Sequence, residues 1–530
     1  MINIHKISLA YFLMAVLSTP VYAAPSDQGQ ASVVQDPAVQ EPVVTISSGA
    51  ISGRVDDGVY AFKGIPYAQA ERFMPPQPPD SWDGVRDATR FGPIAMQVNS
   101  WSPDDAMDEQ RLFTVNVWTQ GLNDGKKRPV MFWLHGGGFR VGASDDPITH
   151  GKNLAKKGDI VLVSVNHRLN VLGYLDLSDF GEQYAYSANV GMLDVVAALE
   201  WVNENIHLFG GDPENVTIFG ESGGGGKVGT LMSMPAAQGL FHKAIIQSGT
   251  LINVMTKEKS KEVGRAVVAK LGLSGDDLDA LKRVPYKELV TVANEAKAEI
   301  LGVREPGSSE MFGLVPVPDG VTLLQQPFTP DFADISKDIP LMIGTTLNEL
   351  VRTAYDEKDL TMAQAKERLA QTYGAQTDKF IELYAQAYPD YTPQDLLSID
   401  TVFRPYTIRT ADARSATRDA PVYSYMLTWK STVEDGAKGS FHGLDIPLAF
   451  DNIELGKHWT GATDEAHSLA DTMSWAWINF AKTGDPNVEG VLPPWKAYTR
   501  ENGETMLFDI PSTVVNNHDR ALMDFVISKQ

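Results

Sequence analysis

The chain of 530 residues contains no cysteine. That excludes a disulfide framework, thiolate metal sites, a cysteine nucleophile and a lipid-modified N-terminal cysteine. Positive charge is scarce as well: 45 basic residues face 67 acidic ones, a formal net charge of -22. Nothing in that balance attracts a phosphate backbone, so nucleic acid is not an expected partner. The acidity reads first as solubility. Long apolar runs are missing beyond the N-terminus. Met1 to Ala23 reads as a cleavable signal peptide, with Lys6 at its start, an apolar core from Ile7 to Leu17 and small residues before the cleavage point. That core is about half the ~20 residues a membrane span requires. The expectation is a secreted or periplasmic protein with no membrane span in the mature chain.

What is present begins after a linker. Ala24 to Pro42 is rich in Gln, Ser, Pro and Ala and carries no periodicity. From Val43 short β-rich runs appear, and with no internal repeat the residues 43–530 read as one large domain. Continuous apolar runs at Val130–Leu134, Ile160–Val165, Val216–Phe219, Ile339–Gly344 and Val422–Leu427 fit strands buried on both faces. Helical spacing of Leu193, Val196, Ala197, Trp201 and Val202 predicts a helix over Met192–Ile206. Alternation of such strands with helices predicts an α/β fold with a large, mostly parallel central sheet flanked by helices. The charged, helix-rich segments Lys257–Leu301 and Thr361–Leu397 read as helical insertions around a site entrance.

Two glycine-bearing turns carry the chemistry. Gly220-Glu221-Ser222-Gly223-Gly224 follows directly on a strand, the G-x-S-x-G pattern in which a sharp strand-to-helix turn lifts a serine hydroxyl toward a base. Gly223 to Gly226 stand in a row where a helix begins, each costing about 1 kcal/mol against alanine, so close backbone approach is the better account of them. Nucleotide-loop readings fit poorly. Gly224 to Gly229 starts several residues after the strand, with no acidic residue about twenty positions on. Gly220 to Gly226 is one residue too long for a phosphate loop, and Val228 stands where Ser or Thr belongs. His135-Gly136-Gly137-Gly138-Phe139 follows a second strand and suits an oxyanion hole. Its donors are the amides of Gly137 and Gly138, joined by that of Gly223.

For the base, only His442, His458, His467 and His518 lie far enough downstream in the order Ser, acid, His. His467 sits in a helical pattern, His458 in a charged loop and His518 near the C-terminus. His442, opening His-Gly-Leu-Asp-Ile-Pro after a strand and a polar loop, is the choice. Glu349, in the loop leaving the strand Ile339–Gly344, is preferred as the acid over Asp445, which is close to His442 in sequence. On position alone a solvated loop carboxylate explains Glu349 equally well.

Together these residues resemble the type-B carboxylesterase family, which also holds the cholinesterases and the catalytically silent neuroligins. The likeness spans nearly the whole chain after the leader. It includes Phe62-Lys63-Gly64-Ile65-Pro66-Tyr67-Ala68, Arg72 to Pro76, Phe91-Gly92-Pro93, Asn116 to Thr119 and Asn166 to Leu169. It continues through Phe209 to Pro213, Gly484 to Asn487 and Trp495. The resemblance implies an α/β-hydrolase fold and an esterase acting through Ser222, His442 and Glu349. It also implies oxyanion donors at Gly137, Gly138 and Gly223, an acyl-enzyme intermediate, no metal and no cofactor. The implied partner is a small-molecule ester; oligomeric state is left open. Alternatives are a non-catalytic adhesion or ligand-binding relative, and a lipase or amidase using the same three residues. The chain departs from the family pattern at Ala95, where a cysteine is common, and at Gly223, where alanine is usual. Lys227 stands where a serine is frequent, and the opening motif is shortened between Ala68 and Arg72.

Overall fold

The computed structural model describes residues 41–98, 103, 106–250, 255–274, 278–302, 313–327, 333–417 and 420–529. The leader Met1–Ala23 and all but the last two residues of the linker lie outside the described residues.

Strands are numbered along the chain. A small sheet joins β1 (Val43–Ile46), β2 (Gly49–Ser52) and β5 (Val85–Asp87). Among the described residues the central sheet has eleven strands: β3 (Arg54–Asp56), β4 (Val59–Pro66), β6 (Thr114–Thr119), β7 (Arg128–Leu134), β8 (Val161–Val165), β9 (Gly211–Glu221), β10 (Lys243–Gln247), β11 (Leu341–Thr346), β12 (Val422–Leu427), β13 (Thr505–Phe508) and β14 (Thr513–Val515). Their spatial order is β14-β13-β12-β11-β10-β9-β7-β8-β6-β4-β3. From β13 through β8 every pairing is parallel, and antiparallel strands close both edges. This is the α/β-hydrolase architecture that the sequence led us to expect.

The apolar runs explain why the sheet sits at the centre. Successive strand residues point to opposite faces, and here each face has its own core. Phe132, Ile218, Ile246 and Ile343 pack with the helix Val190–Asn205 on one side. Met131, Trp133, Phe219, Ile245, Met342 and Tyr425 pack with the helix Asp464–Thr483, through Trp477 among others, on the other. The expected insertions are helical: Lys257–Lys270, Leu278–Leu281 and Tyr286–Leu301 in the first, and Met362–Tyr373, Thr377–Ala387 and Pro393–Ser398 in the second. No helix of the described residues is long and apolar enough to cross a membrane.

Because the central strands run parallel, their C-terminal ends share one edge of the sheet, where ligand sites of such sheets form. The loop 135–139 leaves β7 there, Ser222 leaves β9, Glu349 follows β11, and His442 follows β12.

Candidate active site

Ser222 occupies the turn between β9 and the helix Gly223–Leu231, with φ 56° and ψ -124°. A positive φ is strained for a residue with a Cβ and costs about 1–3 kcal/mol. The surroundings hold it there: Ser222 N–H donates to the Gln247 carbonyl at 2.8 Å, and Gly226 N–H donates to the Ser222 carbonyl at 3.0 Å. The glycine row has the packing role expected of it. A Cβ on Gly224 would stand 2.0 Å from the Leu134 carbonyl oxygen, and one on Gly225 2.9 Å from Gly249 Cα. These helix-start glycines let three backbone segments meet without side chains between them.

The loop after β7 faces the same turn. Gly137 and Gly138 have φ 89° and 60°. The Gly137 carbonyl accepts from the N–H groups of Arg140 and Val141 at 3.1 and 3.2 Å. A Cβ on Gly223 would fall 2.6 Å from Gly138 N, so the Ser222 turn and this loop touch backbone to backbone. The amides of Gly137 and Gly138 make no hydrogen bond within the described residues. Gly223 opens its helix, where amide groups lack intrahelical acceptors.

Glu349 and His442 are brought together directly. Nδ1–H of His442 donates to Glu349 Oε2 at 2.5 Å. The other carboxylate oxygen, Oε1, accepts from the Thr346 backbone N–H at 2.8 Å. His442 N–H donates to the Glu349 carbonyl at 3.1 Å, and residues 349 and 441 form a parallel bridge that prolongs the β11–β12 pairing. Ser440 N–H donates to Asn348 Oδ1 at 2.7 Å while Asn348 N–H donates to the Ser440 carbonyl at 3.0 Å. Phe403, at the start of the helix Phe403–Thr417, stacks on the imidazole at 5.3 Å.

Ser222 is not hydrogen-bonded to His442. The Nε2 atom of the imidazole instead lies 3.2 Å from Oε1 of Glu221, the residue before the serine, and the half-buried Ser222 hydroxyl has no hydrogen-bond partner among the described residues. Burial opposes charge on His442, but the carboxylates of Glu221 and Glu349 outweigh it and raise its pKa to about 9. Burial pushes Glu221 up to about 8.

Sequence reasoning missed Glu221 as a participant, and set Asp445 aside as the acid without giving it another role. Asp445 does not orient His442. Its Oδ2 accepts from Gln247 Nε2 at 3.0 Å and from the Tyr425 hydroxyl at 2.9 Å, and burial raises its pKa to about 6. Asp400 is a third buried carboxyl, raised to about 7 by burial and by Glu349; it accepts from the N–H groups of Val402, Phe403 and Arg404. The available signal for Glu221 was its place inside the nucleophile motif. For Asp400 there was none, because its neighbours come from distant segments. The other three histidines lie elsewhere: His467 contacts Glu454, His518 packs on Tyr388 and His458 on Trp459.

Comparison with known proteins decides the family. The carboxylesterase family model matches residues 40–526. The chain belongs to the carboxylesterase family. It is 37% identical over 490 residues to the para-nitrobenzyl esterase of Bacillus subtilis, covering 90% of this chain and 96% of that one. It is 32% identical to the human cocaine esterase, covering 87% and 86%. Among solved structures, an esterase of Clostridium hathewayi that can hydrolyse aliphatic aromatic polyesters superposes with TM-score 0.82 at 36% identity, covering 92% of this chain and 98% of that one. This carboxylesterase is therefore a serine hydrolase of carboxylic esters.

Proposed function

We propose that Ser222 is the nucleophile of this carboxylesterase, His442 its general base and acid, and Glu349 the carboxylate that orients His442. The observation that carries the reading is the 2.5 Å bond from His442 to Glu349, at the same sheet edge as a serine held at positive φ. Glu349 fixes the proton on Nδ1 and leaves Nε2 as the basic nitrogen. For the reaction Nε2 exchanges Glu221 for the Ser222 hydroxyl. Ser222 Oγ attacks the ester carbonyl carbon as its proton passes to Nε2. The carbonyl oxygen becomes an oxyanion, taken up by the amides of Gly137, Gly138 and Gly223. The tetrahedral intermediate collapses with cleavage of the ester C–O bond, and His442 returns the proton to the departing alcohol. Water, deprotonated in the same way, then releases the acid from the acyl-enzyme.

Small to medium esters are the proposed substrates. Stoichiometric labelling of Ser222 by an organophosphonate, lost in Ser222→Ala together with at least about a 10⁴-fold part of turnover, is the expected result. Esterase activity retained in that variant refutes the assignment. A series of p-nitrophenyl esters of increasing acyl length, run beside triacylglycerol and amide substrates, sizes the pocket and separates esterase from lipase and amidase. A secreted or periplasmic site of action is also proposed, on the sequence of Met1–Ala23 alone. N-terminal sequencing of the native protein should then begin at residue 24.

A further inference from the structure

The helix Gly223–Leu231 carries a fully buried lysine in its second turn. Lys227 is 0% exposed, and its Nζ donates to the His135 carbonyl at 2.8 Å. The ring of Phe139 lies 5.7 Å from the ammonium. His135 and His167 stack at 5.1 Å beside it. Both imidazoles are held well below the ordinary histidine range, by burial first and then by the charge of Lys227. They are neutral neighbours. No carboxylate pairs with Lys227 among the described residues, and burial alone draws its pKa down to about 7.

A buried ammonium without a counter-anion is costly, and an apolar side chain of similar length would fill the space at less expense. The place where this cost is borne is specific. Lys227 ties back the carbonyl of His135, Nδ1–H of His135 ties back that of Gly136 at 3.0 Å, and Arg140 and Val141 tie back that of Gly137. With three successive carbonyls fixed, the amides of Gly137 and Gly138 are left unbonded beside the nucleophile turn.

We propose that Lys227 is a positioning residue for acyl transfer: its ammonium fixes the 135–138 loop from behind and supplies the positive charge that the oxyanion answers. The inference rests on the reading of Gly137, Gly138 and Gly223 as oxyanion donors. Charge placed where negative charge develops acts on the transition state more than on the bound ester.

The test uses Lys227→Met, which removes donor and charge, and Lys227→Gln, which keeps a donor. Folding is followed by thermal unfolding, and active sites are counted by phosphonate labelling. Lys227→Met should lower kcat about 10- to 100-fold with KM little changed. Affinity for a trifluoromethyl ketone, which forms an anionic tetrahedral adduct on Ser222, should fall in proportion to kcat/KM. Lys227→Gln should recover only part of the loss. Folded variants with native kcat and ketone affinity overturn the proposal, as do variants that lose substrate and ketone affinity equally. If Lys227→Met does not fold, native enzyme carrying ¹³Cε-lysine decides. The anionic adduct stabilises the ammonium, so the midpoint of one lysine that titrates near neutrality should rise by about one unit or more. An adduct that forms without moving any lysine overturns the role of Lys227 alone. Failure to label Ser222 in the native enzyme overturns the underlying site as well.

Discussion

Oε1 of Glu221 lies 3.2 Å from Nε2 of His442, the nitrogen proposed to take the proton of Ser222. The carboxylate favours the imidazolium, and an imidazolium cannot accept a proton. Glu221→Gln removes that preference, so the midpoint of His442 falls. The acid limb of the kcat/KM profile should therefore move to lower pH, by about one unit or more. Measuring that profile for both enzymes is the check, and a limb that stays in place would show that Glu221 does not govern the titrating base.

Glu349→Gln keeps the size of the side chain and removes its charge. On the proposed mechanism the imidazolium of His442 then loses its buried partner, and the Nδ1 tautomer is less firmly held. Turnover should fall about 10³- to 10⁴-fold, with KM altered far less. Steady-state kinetics decide, and a loss below tenfold would move the role to another carboxylate.

Gly224→Ala tests the packing under the serine. The new methyl would stand 2.0 Å from the Leu134 carbonyl oxygen and 3.0 Å from that of His135. The Leu134 carbonyl cannot retreat freely, because β7 and β9 are paired up to Leu134 and Gly220. The substitution should destabilise the enzyme by about 1–3 kcal/mol and lower kcat by shifting the turn. An unchanged melting temperature would contradict this.

Arg404 and Asp519 form a two-bond ion pair, at 2.8 and 2.9 Å, whose side chains are 4% and 1% exposed. It anchors the helix whose first ring lies on His442. Burial opposes ionisation of Asp519, but Arg404 outweighs it and holds the carboxyl below the ordinary range. The pair's contribution is complete above the unfolded value of about 3.9 and fades as pH falls through the lower folded value. Asp519→Asn should cost about 3–5 kcal/mol at neutral pH, because Arg404 stays buried without its partner. The loss should shrink in strong acid. Urea unfolding across pH measures both, and a loss independent of pH would exclude the pair as its source.

The buried strands were legible because both faces of the sheet demand apolar side chains. Val422–Leu427 forms as read, and the runs at 130–134, 160–165 and 339–344 fall within two residues of β7, β8 and β11. The nucleophile strand was read four residues long, yet β9 starts at Gly211. Its first half, Asp212 to Asn215, is polar and partly exposed, and pairing of Gly211 with Arg128 extends the ladder without an apolar signal. The three-residue strands β3, β5 and β14 carry no pattern for the same reason.

At the site, residues announced by backbone geometry were the readable ones. Ser222 and the His135–Phe139 loop need glycine at particular positions, and glycine is visible in a sequence. Glu349 was a matter of position until resemblance singled it out. Glu221, Asp445 and Asp400 became recognisable as buried carboxyls only when β9 to β12 brought them to one edge. A pKa raised by burial leaves no mark on the local sequence.

The bridge between residues 349 and 441 gives Glu349 and His442, the proposed acid and base, a shared backbone contact. That contact joins two loops far apart along the chain, and the helices Met362–Tyr373 and Thr377–Ala387 lie in the stretch between them. Leu369, Phe380 and Tyr384 of those helices share a core with Leu347 and Met426, so reshaping them would press on the loop that holds Glu349. Grafting in that stretch must therefore keep these apolar contacts if the strand-end loops are to stay in place.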